Sequence, residues 1–283
     1  MNINHFGTLY IVATPIGNLQ DMSPRAIDTL KSVDHIAAED TRHSRPLLQH
    51  FSISTPLFAL HEHNERDRTD LLLTWLKEGK SIALISDAGT PLISDPGYFL
   101  VRRAREFNIR VVPIPGPSAM ITALSAAGVA TNRFSFEGFL APKTKERLKQ
   151  LELLRNETRT MVFYEAPHRV LDTLVDMQTI WGDERLVVVG RELTKLYETI
   201  YSAPLRDLIE WVRQDKNQQR GEIVLIVEGG SDVPRSAEVI STENLLKILL
   251  EDLPLKQAVE LAAKISGKRK NELYQKALEL AAR

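Results

Sequence analysis

Short apolar runs alternate with helical stretches along most of the chain, and this alternation restricts the fold more than any other feature. In the N-terminal part, strands are predicted at 8–13, 34–38, 81–86 and 110–114, with helices at 23–33, 44–51, 65–78, 98–107 and 117–127. Strands that are apolar throughout are typical of a sheet buried on both faces. The pattern predicts an α/β domain of about five strands over residues 1–128.

A second set of elements begins after Gly128. It opens with 134–139, followed by strands predicted at 160–164, 185–189 and 222–227 and helices predicted at 144–156 and 170–181. The simplest account is a second α/β domain over residues 129–230, a polar linker at 231–241 and a helical region at 242–283 with a break at 266–267. A chain of 283 residues is long enough for two domains of ordinary size.

The most informative loop is 87–97, which directly follows the apolar run 81–86. It begins with a carboxylate and continues with several Gly and Pro residues, and a second turn-rich loop at 113–119 follows the strand at 110–112. Such loops bring bare backbone to the carboxyl edge of a sheet, where open α/β folds bind small molecules. The sequence therefore predicts a binding cleft whose floor is main chain.

Polar loops also follow other predicted strands, at 15–18, 39–42, 165–169 and 191–195. If both domains turn the carboxyl edges of their sheets toward one cleft, these loops converge there. The alternative for any single loop is ordinary turn chemistry, because Asp, Asn, Gly and Pro populate loops for local reasons. Five such loops together favour a shared site.

Composition and missing motifs exclude several kinds of chemistry. The chain has no cysteine, which excludes thiol catalysis, cysteine zinc sites and disulfides. Neither G-x-x-x-x-G-K-[ST] nor a G-x-G-x-x-G after the first strand occurs, so a phosphate cradle is not expected. His61 and His63 lack a third ligand at a suitable spacing, so no metal is expected and a polar surface turn is the simpler interpretation.

The charge and hydropathy of the chain limit what can be expected of nucleic acid and membrane partners. The net charge of −1 neither supports nor excludes a nucleic acid partner. We find no signal peptide pattern and no apolar run of about 18 residues, so a soluble cytoplasmic protein without a membrane partner is expected.

Eight ordered segments carry a resemblance to a known family, namely 9–19, 38–42, 86–97, 115–119, 136–139, 165–169, 191–195 and 221–222. They resemble segments of the tetrapyrrole methylase superfamily, methyltransferases with two α/β domains that hold S-adenosylmethionine in the cleft between them. The resemblance covers nearly the whole chain and is closest to a branch whose members methylate ribosomal RNA. The first loop, Pro15-Ile-Gly-Asn18, departs from the glycine-rich loop of the tetrapyrrole enzymes, which argues against a tetrapyrrole substrate.

This resemblance implies S-adenosyl-L-methionine as the cofactor. It also implies 2′-O-methylation of the ribose of a decoding-centre cytidine in 16S rRNA, within the small ribosomal subunit, by a homodimer. Carried over by position, the cofactor contacts fall on Pro15, Ile16, Gly17, Asp87, Ala88, Gly89, Thr90, Pro91, Ser118, Ala119, Tyr164, Pro167 and Glu222. Asp87 could accept a hydrogen bond from the cofactor or only cap its own turn, and the sequence leaves both roles open.

Four residues in the cleft loops are candidates for catalysis. Asp40, Glu165 and Glu192 are candidate bases, and Lys195 could hold a phosphate or polarise the acceptor hydroxyl. A structural ion pair is the alternative for each of them. Loop arginines are candidates for RNA binding, namely Arg42, Arg169 and Arg191.

A basic cluster near the C-terminus is a further indication of RNA. Residues 254–283 contain seven Lys or Arg and three Glu, and Lys268, Arg269 and Lys270 lie where the last helix is predicted to begin. Cations are disfavoured by the helix dipole at that end, so a phosphate backbone would explain them. A solvated turn in a small helical hairpin is the alternative.

Two other functions stay open at this stage. A related methylase could act on a small molecule or a protein side chain, and a ribosome-assembly factor could bind RNA without catalysis. Binding of S-adenosylmethionine separates the second from any methyltransferase.

Overall fold

The structure is a computed structural model that describes residues 6–230 and 242–281. Contacts divide the chain into a first unit of residues 1–230 and a second unit of residues 231–283. The predicted linker at 231–241 lies outside the described residues. Within the described ranges, no helix combines the length and apolar character that crossing a membrane requires.

The first unit contains a five-stranded parallel sheet. Its strands are β1 Thr8–Val12, β2 His35–Ala38, β3 Leu57–Ala59, β4 Ile82–Ile85 and β5 Arg110–Ile114. Their order is β3-β2-β4-β1-β5, and every pair is parallel, so all carboxyl ends lie at one edge. Apolar clusters cover both faces of this sheet, which explains why β4 is buried at all four residues.

A second five-stranded sheet follows in the same unit. Its strands are β6 Phe134–Phe139, β7 Thr160–Glu165, β8 Leu186–Arg191, β9 Thr199–Pro204 and β10 Ile223–Val227. The order is β6-β7-β10-β8-β9, with β6 and β7 parallel and the other three pairs antiparallel. Because β10 is antiparallel to both neighbours, its first residues lie beside the last residues of β7 and β8.

Eight helices connect these strands. They are α1 Pro24–Ser32, α2 Thr41–His50, α3 Glu65–Lys77, α4 Tyr98–Glu106, α5 Ala119–Ala126, α6 Thr144–Leu153, α7 Val170–Trp181 and α8 Leu205–Gln214. Their starts follow local capping chemistry. At α1, Ser23 Oγ accepts a hydrogen bond from the Ala26 N–H (3.1 Å), and Pro24 occupies the first position.

Helix α5 belongs by sequence to the first sheet and packs on the second. Ala123 and Leu124 of α5, together with Ile16, form one apolar cluster with strand residues of the second sheet, Val162, Val188, Val224 and Ile226. This packing brings the carboxyl edge of the first sheet next to the ends of β7 and β10.

The second unit is a small helical bundle. Its helices are α9 Thr242–Asp252, α10 Leu255–Ser266 and α11 Lys270–Ala281. Leu246, Val259, Ala262 and Leu273 form its core. Gly267 ends α10 in the left-handed conformation, at φ 67°.

The predicted class, two α/β regions and a helical C-terminal region, is confirmed. Three elements were not predicted: β3, β9 and α8. Strand β3 has only three residues, and β9 is an edge strand with three exposed residues, so neither has the continuous apolar run of a buried strand. The C-terminal helices have a second break, which was not predicted, at Pro254. The domain boundary at 128 stays a prediction.

Candidate active site

A cavity of about 410 Å³ lies between the two sheets of the first unit. Its walls come from the loops after β1, β2, β4, β5 and β8, the ends of β6 and β7, and the start of β10. The volume is within the range of small-molecule sites. Ten of the thirteen predicted cofactor residues line it, namely Ile16, Asp87, Ala88, Gly89, Thr90, Ser118, Ala119, Tyr164, Pro167 and Glu222. Pro15, Gly17 and Pro91 are described but do not line it.

Backbone contacts fix the floor of the cavity. Thr14 and Gly89 exchange two hydrogen bonds, Thr14 N to Gly89 O at 2.9 Å and Gly89 N to Thr14 O at 3.0 Å. Gly89 has a φ of 81°, and a Cβ there would lie 3.3 Å from Ile16 Cγ2. Thr90 Oγ1 donates to Pro117 O at 2.9 Å. Three strand-end loops are thereby joined into one surface.

Asp87 ties a fourth loop to this surface. Its Oδ1 accepts a hydrogen bond from the Asp40 N–H (3.1 Å), in the loop after β2. The side chain therefore reaches a neighbouring loop rather than capping its own turn, and the residue also lines the cavity.

Three acidic residues from the first sheet line the cavity: Glu39, Asp87 and Asp95. Burial raises the pKa of Asp95 to about 6, and the nearby charge of Asp87 adds to this rise. Burial also raises the pKa of Glu39, with further contributions from Asp95 and Asp87. The cavity is therefore a place where negative charge is concentrated and a cationic ligand is favoured.

The raised pKa of Asp95 predicts a pH-dependent effect of Asp95→Asn on stability. The pKa of Asp95 is higher in the folded state than its usual 3.8. The folded protein therefore loses stability as the pH rises from about 4 to about 6 and the carboxyl group ionises. We expect Asp95→Asn to have a higher Tm than the parent at pH 8, and the difference to vanish below about pH 4. Thermal unfolding at both pH values measures this. An equal Tm at pH 8 would mean that the charged carboxylate is well solvated.

An aromatic wall faces the acidic residues from the second sheet. Tyr164 Oη accepts a hydrogen bond from the Met120 N–H (3.3 Å), at the first turn of α5. Its ring packs edge-on against Phe136 and Phe139, with centroids 4.8 and 5.7 Å away. Burial raises the pKa of Tyr164, so the phenol stays protonated. The wall can pack against a flat or cationic group.

Glu165 lines the cavity, but its carboxylate has other partners. Oε1 accepts from Arg169 Nη2 at 2.5 Å and Nε at 2.9 Å, and Oε2 accepts from Thr173 Oγ1 at 2.6 Å. The side chain of Glu165 is 1% exposed. These contacts favour the alternative that the sequence left open, a structural ion pair, for both Glu165 and Arg169.

Glu192, Lys195 and Glu222 form a second network, of which only Glu222 lines the cavity. Lys195 Nζ donates to Glu192 Oε1 at 2.8 Å and to Glu222 Oε2 at 2.5 Å, and Glu192 Oε1 also accepts from the Glu222 N–H. Burial acts to lower the pKa of Lys195, but the hydrogen bonds to Glu192 and Glu222 raise it above its usual value. A Cβ on Gly17 would lie 2.4 Å from Lys195 Cγ, so the loop after β1 packs directly on this lysine. The network links the two halves of the unit.

Three other predicted residues lie away from the cavity. Asp40 caps α2 and pairs with Arg42 at 2.9 Å, and the hydrogen bonds from Arg42 lower the pKa of Asp40 to about 2. Arg191 is buried, with hydrogen bonds to Gln218 Oε1 and Tyr197 O. The burial of Arg191 speaks against the predicted RNA contact, whereas Arg42 is 88% exposed.

Sequence reasoning missed two of the three acids that the first sheet contributes to the cavity. Glu39 directly follows β2, but the prediction chose the next residue, Asp40, which caps the helix. Asp95 lies inside the motif 86–97, where only its first part was assigned to the site. The available signals were the position of Glu39 directly after a strand and the place of Asp95 inside an ordered strand-end motif.

The predicted basic cluster lies in the second unit. Lys268 and Arg269 form the turn between α10 and α11, and Lys270 begins α11. All three are exposed, and Lys270 Nζ donates to Glu260 Oε1 at 2.9 Å.

His61 and His63 do not form a metal site with other side chains. Asn64 Nδ2 lies 3.0 Å from His61 Nε2. In the described parts of the chain, no group of three or more His, Cys, Asp and Glu could hold a metal ion.

Comparisons with family profiles and with individual proteins indicate the same family. Residues 8–209 match the profile of Tetrapyrrole (Corrin/Porphyrin) Methylases, and residues 236–281 match that of the RsmI C-terminal HTH domain. Among curated proteins, the chain is similar to Ribosomal RNA small subunit methyltransferase I of Pseudomonas aeruginosa, at 56% identity over 96% of this chain and 97% of that protein. The same protein of Escherichia coli O157:H7 is 55% identical over 98% and 96% of the two chains.

Solved structures share the fold at low sequence identity. Uroporphyrin-III-C-methyltransferase from Thermus thermophilus aligns with a TM-score of 0.56 and 16% identity, covering 78% of this chain and 94% of that one. Diphthine synthase aligns with a TM-score of 0.62 and 12% identity, covering 78% and 90%.

Proposed function

Because the chain belongs to the tetrapyrrole methylase family, and within it to the ribosomal RNA small subunit methyltransferase I proteins, we propose that it methylates the RNA of the small ribosomal subunit. The finer proposal is transfer of a methyl group from S-adenosyl-L-methionine to the ribose 2′-hydroxyl of a decoding-centre cytidine. The chain covers at least 96% of the two relatives compared above, which supports a shared activity rather than a shared domain.

The cavity supports S-adenosylmethionine as the methyl donor. When bound, this donor supplies an activated methyl group on a cationic sulfur, and it also carries an ammonium group. Glu39, Asp87 and Asp95 are suited to two positive charges, and the backbone of Ala88 and Thr90, on either side of the Gly89 bridge, offers N–H and C=O groups to the adenine and ribose parts. This acidic, backbone-floored cavity is the observation that carries the proposal.

The protein's own contribution is mainly positioning. Four loops joined by the Thr14–Gly89 bridge, the Thr90 bond to Pro117 and the Asp87 bond to Asp40 form a pre-organised wall. Holding the acceptor hydroxyl in line with the methyl group on such a wall accounts for a large part of the expected rate. Ile93, Phe139 and Leu193 give this cavity an apolar part of its lining.

The second unit is proposed to bind RNA. Its match to a helix-turn-helix profile agrees with the turn at Lys268 and Arg269 between α10 and α11, because helix-turn-helix proteins bind nucleic acid with such a pair. Together with Lys270, these exposed cations can contact phosphates without reading sequence. Arg42 is the exposed arginine of the first unit proposed for the same role. The homodimer stays a prediction of the resemblance.

Alanine at Lys268, Arg269 and Lys270 tests this role. We expect weaker binding of small-subunit RNA and a slope of log Kd against log salt that is shallower by about 1 to 3. The slope changes because binding releases about one counterion fewer for each phosphate contact that is lost. Filter binding across a salt series measures both. Alanine at Lys143, Lys145 and Lys149, exposed cations of the first unit, removes the same charge as a control. Equal slopes for the two triple variants would contradict a specific role for the tail.

The proposed reaction is tested by mapping ribose methylation. Small-subunit RNA from cells lacking the protein should lose one 2′-O-methyl group in the decoding centre, and the parent gene should restore it. An unchanged methylation map would refute the proposal, and a lost methyl group on a base would refute only the ribose assignment.

A further inference from the structure

Most carboxylates at the cavity are already held by donors. Glu165 is paired with Arg169, Glu222 is paired with Lys195, and Asp87 accepts the Asp40 N–H. Glu39 accepts the backbone N–H of Asp87. A carboxylate held in this way is a poor acceptor for a further proton.

Asp95 differs from these four in one respect: within the described residues, neither a cation nor a backbone N–H acts on its carboxylate. It lines the cavity, and within residues 6–230 and 242–281 no Lys, Arg or His forms a salt bridge with it. The side chain of Ser86, the residue after β4, lowers the pKa of Asp95 and so partly offsets the effect of burial. The ionisable residues that act on it or feel its charge are Asp87, Glu39 and Tyr164, which come from both sheets. None of these is a cation.

The loop that carries Asp95 is held in a strained conformation. Leu92 and Ser94 have positive φ values of 75° and 66°, which non-glycine residues rarely adopt. The loop is fixed where it enters α4, because Glu65 Oε1 accepts the N–H groups of Gly97, Phe99 and Leu100 at 3.1, 2.8 and 3.3 Å. Backbone strain of this kind is concentrated at functional sites, where the surrounding structure enforces it.

We propose that Asp95 is the general base of the methyl transfer, a role that rests on the function proposed above. The O–H bond of the acceptor hydroxyl breaks and its proton passes to the Asp95 carboxylate, while the oxygen forms a bond to the methyl carbon. The bond from that carbon to the donor sulfur breaks, and its electron pair stays on sulfur as a neutral thioether. The proton leaves Asp95 to solvent before the next turnover.

The local electrostatics suit this role. Burial and the charge of Asp87 raise the pKa of Asp95 to about 6, so the carboxylate is ionised near neutral pH yet more basic than an exposed aspartate. The value of kcat/KM for the donor should therefore rise with pH through about 6 and level off above it, because kcat/KM reports the free protein and only the ionised form accepts the proton.

The test compares Asp95→Asn with Glu39→Gln, which removes one charge from the same cavity. We expect Asp95→Asn to lower the single-turnover rate by about 100-fold or more, the usual contribution of a general base. The Kd for S-adenosylmethionine, measured by calorimetry, should change by less than about 10-fold, since the other carboxylates of the cavity keep their charge. Glu39→Gln should change the Kd by a similar factor and the rate by less than about 10-fold, and keep the rise of rate with pH.

Asp95→Glu serves as the second variant, because it keeps a carboxylate. Its rate should be at least about 10-fold higher than that of Asp95→Asn. The proposal is overturned if Asp95→Asn retains the parent rate, or if Asp95→Asn and Glu39→Gln lose rate equally, which would make Asp95 one contributor to the field of the cavity. A parent protein that transfers no methyl group to small-subunit RNA would overturn the proposed function itself, and this proposal with it.

Discussion

Asp87→Ala is expected to weaken S-adenosylmethionine binding by about 10- to 100-fold, because the variant loses a carboxylate with two tasks. The carboxylate holds the Asp40 N–H and so joins the loops after β2 and β4. It also supplies one of the three carboxylates that the first sheet contributes to the cavity. Hydrogen bonds to charged groups contribute about 1.5–3 kcal/mol each, which corresponds to the expected range. Calorimetric titration with S-adenosylmethionine measures the change.

Asp87→Asn separates the two tasks. The amide oxygen can still accept the Asp40 N–H, but the charge is gone. We expect an intermediate affinity for Asp87→Asn if charge and loop bracing both matter. Wild-type affinity in Asp87→Ala would contradict a donor site at this cavity.

Glu165→Ala is expected to lower the free energy of unfolding by about 3–5 kcal/mol, because it leaves a largely buried guanidinium without its anion. The side chain of Arg169 is 16% exposed and donates two hydrogen bonds to Glu165. Thr173 Oγ1 also loses its acceptor. Urea denaturation followed by circular dichroism measures the loss.

The double variant Glu165→Ala with Arg169→Ala is the control. Removing the cation together with the anion should leave it no less stable than Glu165→Ala alone. If Glu165→Ala keeps parental stability and loses methyl transfer, Glu165 is a base after all and the structural interpretation is wrong.

The first sheet could be predicted from the sequence because each of its longer strands is a short, mainly apolar run followed within three residues by Pro or Asp. The strands of the second sheet were harder to predict. Strand β9, with the sequence TIYSAP, lies at an edge and is mostly exposed, so burial imposes no apolar run on it. Helix α8 does have apolar residues at 205, 208, 209 and 212, a helical spacing that was present and overlooked.

The cavity was predicted better than the roles of its residues. Strand-end loops converge for a topological reason, which sequence can show, because parallel strands place their carboxyl ends at one edge. Which carboxylate pairs with which cation depends on side chains far apart in sequence. Lys195 and Glu222 are 27 positions apart, and only the antiparallel pairing of β8 and β10 brings them together. The basicity of Asp95 likewise depends on burial between two sheets.

The measurement that tests the central claim most directly is a crystal structure of the full chain grown with S-adenosyl-L-methionine. We predict one donor molecule in the cavity between the two sheets, with its positive charges toward Glu39, Asp87 and Asp95 and its adenine on the backbone of 88–90. A donor molecule bound outside this cavity would contradict the claim, as would crystals at saturating donor in which the cavity holds none.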